Sequence, residues 1–275
     1  MGDPCALPEG VSGMGGTTLK VIVIGCGPAG LAAAHAAVGL GADVRIIAPK
    51  HKTPQRGPLL IQRPIPGINT DHPDGTIHQR VIGGSVLDYR YKLYGDVNIS
   101  INGDILQPHY HAWDHRKTYD ALWQKYEGLI EDQHIKPHEL YRLPSESDLV
   151  VSTANAQNMC RDESHTFLSA PVFISPRAEY PNQPDDTIIF NGGDNYRWVR
   201  SSRIFGVEVT EWPHRVNDAR PIQKPISTDC DCYPHVLRTG RFGKWKNETW
   251  VDTAYWDTYS AIASMNRAEE LGRII

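Results

Sequence analysis

The stretch KVIVIGCGPAGLAAAHAAVGLGADVRIIA, residues 20–48, constrains the fold more than any other part of the chain. Residues 20–24 read as a strand whose Val21–Ile24 are a run of apolar β-formers, the pattern of a strand covered on both faces. Gly25 to Gly30 spells G-x-G-x-x-G. The alanine-rich run Ala29–Val38 reads as a helix that Gly39 and Gly41 end, and Asp43–Ala48 as a second strand. A glycine turn between a buried strand and a helix, with a strand returning, is a βαβ unit shaped for a pyrophosphate. Gly25 permits the tight turn, Gly27 lets the backbone approach the phosphates, and Gly30 lets the helix pack on the strand. With Pro28 and Ala29 at the helix start, unbonded N–H groups and the positive dipole end face the same anion. Gly25, Gly27, Pro28, Ala29 and Gly30 are therefore candidate cofactor contacts.

The end of the second strand leaves the dinucleotide open. An NAD site places Asp or Glu there to hold the adenosine ribose. This chain has Ala48, Pro49 and Lys50. Lys50 suits a 2′-phosphate and hence NADP, while FAD remains an option with its ribose held by backbone or water.

Beyond residue 50 the periodicity changes. Residues 52–116 are rich in Pro, Gly and His, and only short strands are predicted there. Tyr119, Leu122, Trp123, Tyr126 and Ile130 define one face of an amphipathic helix, which Asp114 can cap. DLVVSTA, residues 148–154, reads as another buried parallel strand. TFLSAPVFIS, DTIIFNGG and RIFGVEVTEW predict an antiparallel sheet over 165–213. GRFGKWKNETWVD suggests a tight strand pair, followed by a helix over about 254–271. The expected class is α/β: a Rossmann-like domain with a parallel sheet, spanning 19–275 as one unit. It carries a small antiparallel β insertion on the substrate side at about 160–230, and residues 1–18 form a flexible tail.

Two distant segments, VIVIGCGPAGLAAAHAA and GRFGKWKNETWVDTAYWDTYSAI, together resemble flavoproteins related to UDP-galactopyranose mutase and the amine oxidases. IIFNGGDNYRWVRSSRIFGVE, residues 188–208, is similar to a further mutase segment. The resemblance covers roughly residues 20–50 and 148–262, with gaps. It implies FAD as cofactor, with a C-terminal Gly-Arg segment leading into a helix that faces the isoalloxazine ring. On that reading Gly240, Arg241 and Gly243 match the Gly-Arg strand, and Asp252, Thr253, Ala254 and Tyr255 the helix start. Arg56 and Gly57 fall where an Arg-Gly element contacts the phosphates, the alternative being a proline-stiffened surface loop. Gln62 and Arg63 could reach the flavin or the substrate. Arg200 and Arg203 are the catalytic candidates on the substrate face. Trp198, Trp212, Trp245, Trp250, Tyr255 and Trp256 add aromatic surface around the ring or form ordinary core.

Metal is not expected. His109, His111 and His115 lack a completing Cys or carboxylate set, and Cys230-Asp-Cys232 with His235 lacks a second ligand pair. Alternation along a strand would point both thiols into core packing. The 5 cysteines are odd in number and scattered, which argues against a disulfide framework and for a reducing, cytoplasmic location. A net charge of −4 predicts no strong general attraction to nucleic acid, and no apolar run is long enough to span a membrane. The expected partner is a small-molecule or nucleotide-like substrate, and homo-oligomerisation is left open. Three functions follow: hydride-taking FAD oxidoreductase, redox-neutral flavin catalysis with N5 of reduced FAD as nucleophile, or cofactor binding without turnover.

Overall fold

The computed structural model describes residues 18–274 except residues 56, 58, 97, 100–106 and 248, and no side chain from 269 onward. Nearly all of the expected tail and Arg56 lie outside the described residues. The βαβ unit forms as the sequence requires: β1 (Lys20–Ile24), α1 (Pro28–Gly39) and β2 (Asp43–Ala48). β1 is the centre of a parallel sheet ordered β13-β7-β1-β2-β6, with β6 at Ile130–Asp132, β7 at Leu149–Ser152 and β13 at Val236–Arg238. Its middle position explains why Val21 to Ile24 are all buried rather than alternating.

α1 is buried along Gly30–Ala37 because it has neighbours all round. The sheet covers one side, and α3 (His115–Tyr126) and α7 (Val251–Ile274) cover others. Small alanines let three helices approach closely. The amphipathic helix is α3, capped by Asp114, whose carboxylate accepts from the Arg116 N–H at 2.8 Å. It buries Tyr119, Leu122 and Tyr126, while Ile130 already belongs to β6.

A second, eight-stranded sheet is ordered β12-β8-β11-β10-β9-β4-β5-β3. Its strands are β3 (Leu60–Ile61), β4 (Gly75–Ile82), β5 (His109–Asp114), β8 (Phe167–Ser175), β9 (Thr187–Asn191), β10 (Arg200–Ile204), β11 (Val207–Trp212) and β12 (Arg220–Thr228). Pairing is antiparallel except where β4 runs parallel to β9. The sheet therefore draws on residues 60–114 as well as on 160–230.

Three local expectations are corrected. RIFGVEVTEW is a hairpin, not one strand: Phe205 and Gly206 both have positive φ and turn β10 into β11. Val86–Tyr94 is a helix, α2, held by a capping box in which Ser85 and Asp88 bond each other's backbone N–H. GRFGKWKNETWVD forms no strand pair. Gly240 at φ +73° ends the extended chain, Gly240–Lys244 makes a short helix, α6, and Trp245 closes it in the left-handed region.

Candidate functional site: a phosphate turn beside a charged cavity

The turn at the head of α1 has the geometry of an anion cradle. Gly25 sits at φ +107°, and a Cβ on Gly30 would lie 1.9 Å from the Gly25 carbonyl oxygen. Neither position accepts a side chain. Gly27 differs, since a Cβ there would meet nothing within 4 Å. No packing contact among the described residues explains a glycine there. α1 has Pro28 in its first turn, no acidic residue there and no side-chain cap, so Ala29 and Gly30 present free N–H groups.

The C-terminal segment closes on this turn. A Cβ on Gly240 would approach Ala29 Cβ to 2.7 Å, and one on Gly243 the Ser152 carbonyl to 2.6 Å. Elements more than 200 residues apart are thus packed glycine against alanine. The next residue, Arg241, lines a cavity of about 180 Å3 between α2, the α6–α7 connection and one face of the eight-stranded sheet.

Strand register builds the cavity floor. Phe190, Arg200, Glu211 and Ile174 are successive partners across β9, β10, β11 and β8, so they share a face. Lys224 joins them from β12. The Arg200 Nη2 and Lys224 Nζ each donate to the Glu211 carboxylate at 2.5 Å. Glu211 is 2% exposed. Burial opposes its ionisation, but Arg200 and Lys224 outweigh burial and hold it below the usual carboxylate range. Burial also pulls Lys224 down to about 8, with Glu211 resisting and Arg200 and Arg241 assisting. Arg241 has no carboxylate at ion-pair distance among the described residues, and its guanidinium lies 5.7 Å from the Trp250 ring centre. Three cations face one carboxylate, and the Arg200 Nε has no hydrogen-bond partner among the described residues. Such a lining favours an anionic ligand.

The candidates divide accordingly. Arg200, Gly57, Gln62, Arg241 and Trp250 line the cavity. Arg203 does not: an odd number of residues from Arg200, it points to the opposite face and pairs with Glu208 and Asp185. Asp252 is buried; its Oδ2 accepts from Arg63 at 3.0 Å, while Oδ1 lacks a partner among the described residues. Thr253 accepts from the Trp250 N–H, Ala254 is fully buried, and Tyr255 packs beside His35 against α1. The start of α7 is therefore a packed element in which, among the described residues, Asp252 Oδ1 and Trp256 Nε1 keep no hydrogen-bond partner. The aromatic residues do not form one set: Trp198 stacks on Tyr196, Trp212 bonds Ser175, and Trp245 is fully buried. Lys50 is exposed, and its N–H donates to Asp132 at 2.8 Å.

Sequence reasoning missed three groups. Glu211 and Lys224 look like solvent-face charges until register turns them inward. Asp132 ends β6 directly beside Ala48, placing a carboxylate on the neighbouring strand at the end of β2. Cys160 and His165 are the third, because they meet Cys230 and Cys232, which lie in the connection after β12 rather than in a strand. The fold brings Cys160 and His165 beside Cys230 and Cys232, with the four candidate ligand atoms within 4.8 Å of one another. Among the described residues, His109, His111 and His115 join no such cluster; His115 is buried, which lowers its pKa to about 4.

The fold and the turn define a Rossmann-like protein of the dinucleotide-binding class. The chain belongs to the family described as alanine dehydrogenase/PNT, C-terminal domain, which matches residues 7–157. No curated protein sequence matches it. Among solved structures, reduced UDP-galactopyranose mutase is similar with a TM-score of 0.52 at 11% identity, covering 92% of this chain and 94% of that one. The tetrameric form of 2-methyl-3-hydroxypyridine-5-carboxylic acid oxygenase reaches 0.48 at 14% identity, over 88% and 80%. The p-nitrophenol 4-monooxygenase PnpA from Pseudomonas putida DLL-E4 reaches 0.47 at 12%, over 81% and 72%. At 11% identity the likeness to the mutase is one of fold. No helix among the described residues is long and apolar enough to cross a membrane.

Proposed function

We propose that the chain is an FAD-dependent oxidoreductase acting on a small anionic or nucleotide-like substrate. The observation that carries this reading is the contact of Gly240 with Ala29, because it joins the phosphate turn to the cationic cavity through one residue, Arg241. A nicotinamide dinucleotide needs only the first βαβ unit and its neighbours. A flavin needs a second anchor from elsewhere in the fold, and the α6–α7 segment is such an anchor. The open face of Gly27, the orphaned Asp252 Oδ1 and the unbonded Arg200 Nε fit a bound group of that size.

In this reading the free N–H groups of Ala29 and Gly30 would bind the pyrophosphate, and Asp132, beside Ala48, would hold the adenosine ribose. Gly57, Gln62, Arg241 and Asp252 would hold the ring. Arg200 and Lys224 orient the anionic group of the substrate, with Glu211 fixing both cations. The tyrosines Tyr89, Tyr94 and Tyr110 wall the cavity against water. Bound FAD would accept a hydride from a C–H beside nitrogen or oxygen.

The test is redox. The purified protein is expected to carry a yellow chromophore that substrate or NAD(P)H bleaches and air restores. Turnover that requires a persistently reduced flavin, with no net oxidation, would replace this reading with redox-neutral catalysis. A pH dependence also follows. Free Lys224 loses its proton near pH 8, so affinity for inorganic phosphate should fall above that pH by up to about tenfold per unit. Measured dissociation constants between pH 7 and 9 should show the fall, and Lys224→Ala should flatten it.

A further inference from the structure

We infer that Cys160, His165, Cys230 and Cys232 bind one structural zinc ion. The inference stands apart from the flavin reading. Cys160 Sγ lies 3.6 Å from Cys230 Sγ and 3.7 Å from Cys232 Sγ. His165 Nδ1 lies 3.3 Å from Cys160 Sγ and 3.5 Å from Cys232 Sγ. All four ligand atoms fall within 4.8 Å of one another. A tetrahedral zinc with Zn–S of about 2.3 Å and Zn–N of about 2.0–2.1 Å has S–S edges of about 3.8 Å and S–N edges of about 3.5 Å. These four edges are close to that polyhedron, and the two remaining, Cys230 to Cys232 and Cys230 to His165, lie within 4.8 Å. A disulfide would need a sulfur separation of about 2.05 Å.

The surroundings support the metal. The other ring nitrogen, His165 Nε2, faces the Asp231 carboxylate at 3.5 Å, the partner that fixes a ligating imidazole in the right tautomer. The backbone carrying the thiols is held as well: the Arg238 guanidinium donates to the Cys230 carbonyl, and the Tyr141 hydroxyl to the Cys232 carbonyl at 3.0 Å. Four protein ligands leave no open position, so the ion is structural rather than catalytic.

Its place in the topology explains its use. Cys160 and His165 lie where the chain leaves the parallel sheet after β7 and enters β8. Cys230 and Cys232 lie where it returns from β12 to β13. One ion pins both crossings, closing the base of the excursion that builds Arg200, Glu211 and Lys224.

The full-length protein, purified under reducing conditions, should contain one zinc per chain by elemental analysis and native mass spectrometry. Titration with an organomercurial should release it with three thiol equivalents. Replacing zinc with cobalt should give the intense visible bands and thiolate charge-transfer absorption of a tetrahedral site. Cys232→Ser and His165→Ala should each lose the zinc, and Asp231→Asn should weaken its affinity by about tenfold. Folded wild-type protein holding less than about a tenth of an equivalent, even after incubation with zinc, would overturn the inference. So would stoichiometric iron in place of zinc, or zinc fully retained in both ligand variants. The wild-type measurements decide the matter even if a variant fails to fold.

Discussion

Gly27→Val is expected to leave the fold standing and to abolish flavin uptake. Gly27 occupies ordinary extended backbone, φ −68° and ψ 176°, and a Cβ there meets no protein atom within 4 Å. The melting temperature should therefore stay within about 4 °C of the parent, the cost of a poorer helix start. The valine would stand in the pyrophosphate's space, and FAD affinity should fall at least about a hundredfold. Gly30→Val is the contrasting control. Its Cβ would lie 1.9 Å from a backbone oxygen, which cannot yield cheaply, and a loss of more than about 4 kcal/mol is expected. Thermal melts and FAD titrations of the two variants separate a glycine kept for a ligand from one kept for packing. If Gly27→Val binds FAD as the parent does, the phosphate turn has been misread.

Removing the carboxylate from the cavity should produce the largest stability loss among the charged residues. Glu211 is buried and bonds two cations, so Glu211→Gln leaves Arg200, Lys224 and Arg241 facing one another without compensation. Breaking one partner of a buried ion pair costs about 3–5 kcal/mol, and urea unfolding should show it. Arg203→Ala, on the other face and paired at the surface, should cost about 1 kcal/mol or less. Arg241→Ala should behave differently from both. It relieves repulsion in the free protein, so stability should change little, while flavin binding or its reduction potential falls. A site whose excess positive charge serves a ligand predicts that split.

How far the sequence reached depended on whether a feature was local. The βαβ unit, the cap of α3 and the C-terminal helix are written within single stretches, and they form where the pattern places them. The family resemblance assigned the two end segments to one flavin without naming a contact between them; in the fold Gly240 packs against Ala29. The helix α2 was hidden because its capping box uses Asp88 rather than Glu, amid a segment dense in proline and glycine. The α6 turn was hidden because the stretch from Gly240 reads as a tight strand pair, whereas Gly240 at positive φ ends the extended chain. The cavity charges and the cysteine cluster were illegible for a different reason. Glu211 and Lys224 turn inward only through the register of β10, β11, β8 and β12, and Cys160 reaches Cys232 across 72 residues. Pairing at that range is a property of topology, and a single sequence without its strand order does not contain it in readable form.

The central claim is that the turn at Gly25–Gly30 and the segment from Gly240 bind one FAD between them. The direct measurement is a titration of the purified chain with FAD, followed by flavin fluorescence, with NAD and NADP as competitors. The account predicts one FAD per chain, resistance to both competitors at equal concentration, and loss of binding in Gly27→Val. A folded chain that takes up no FAD, or that binds NADP at this turn while excluding FAD, would contradict it.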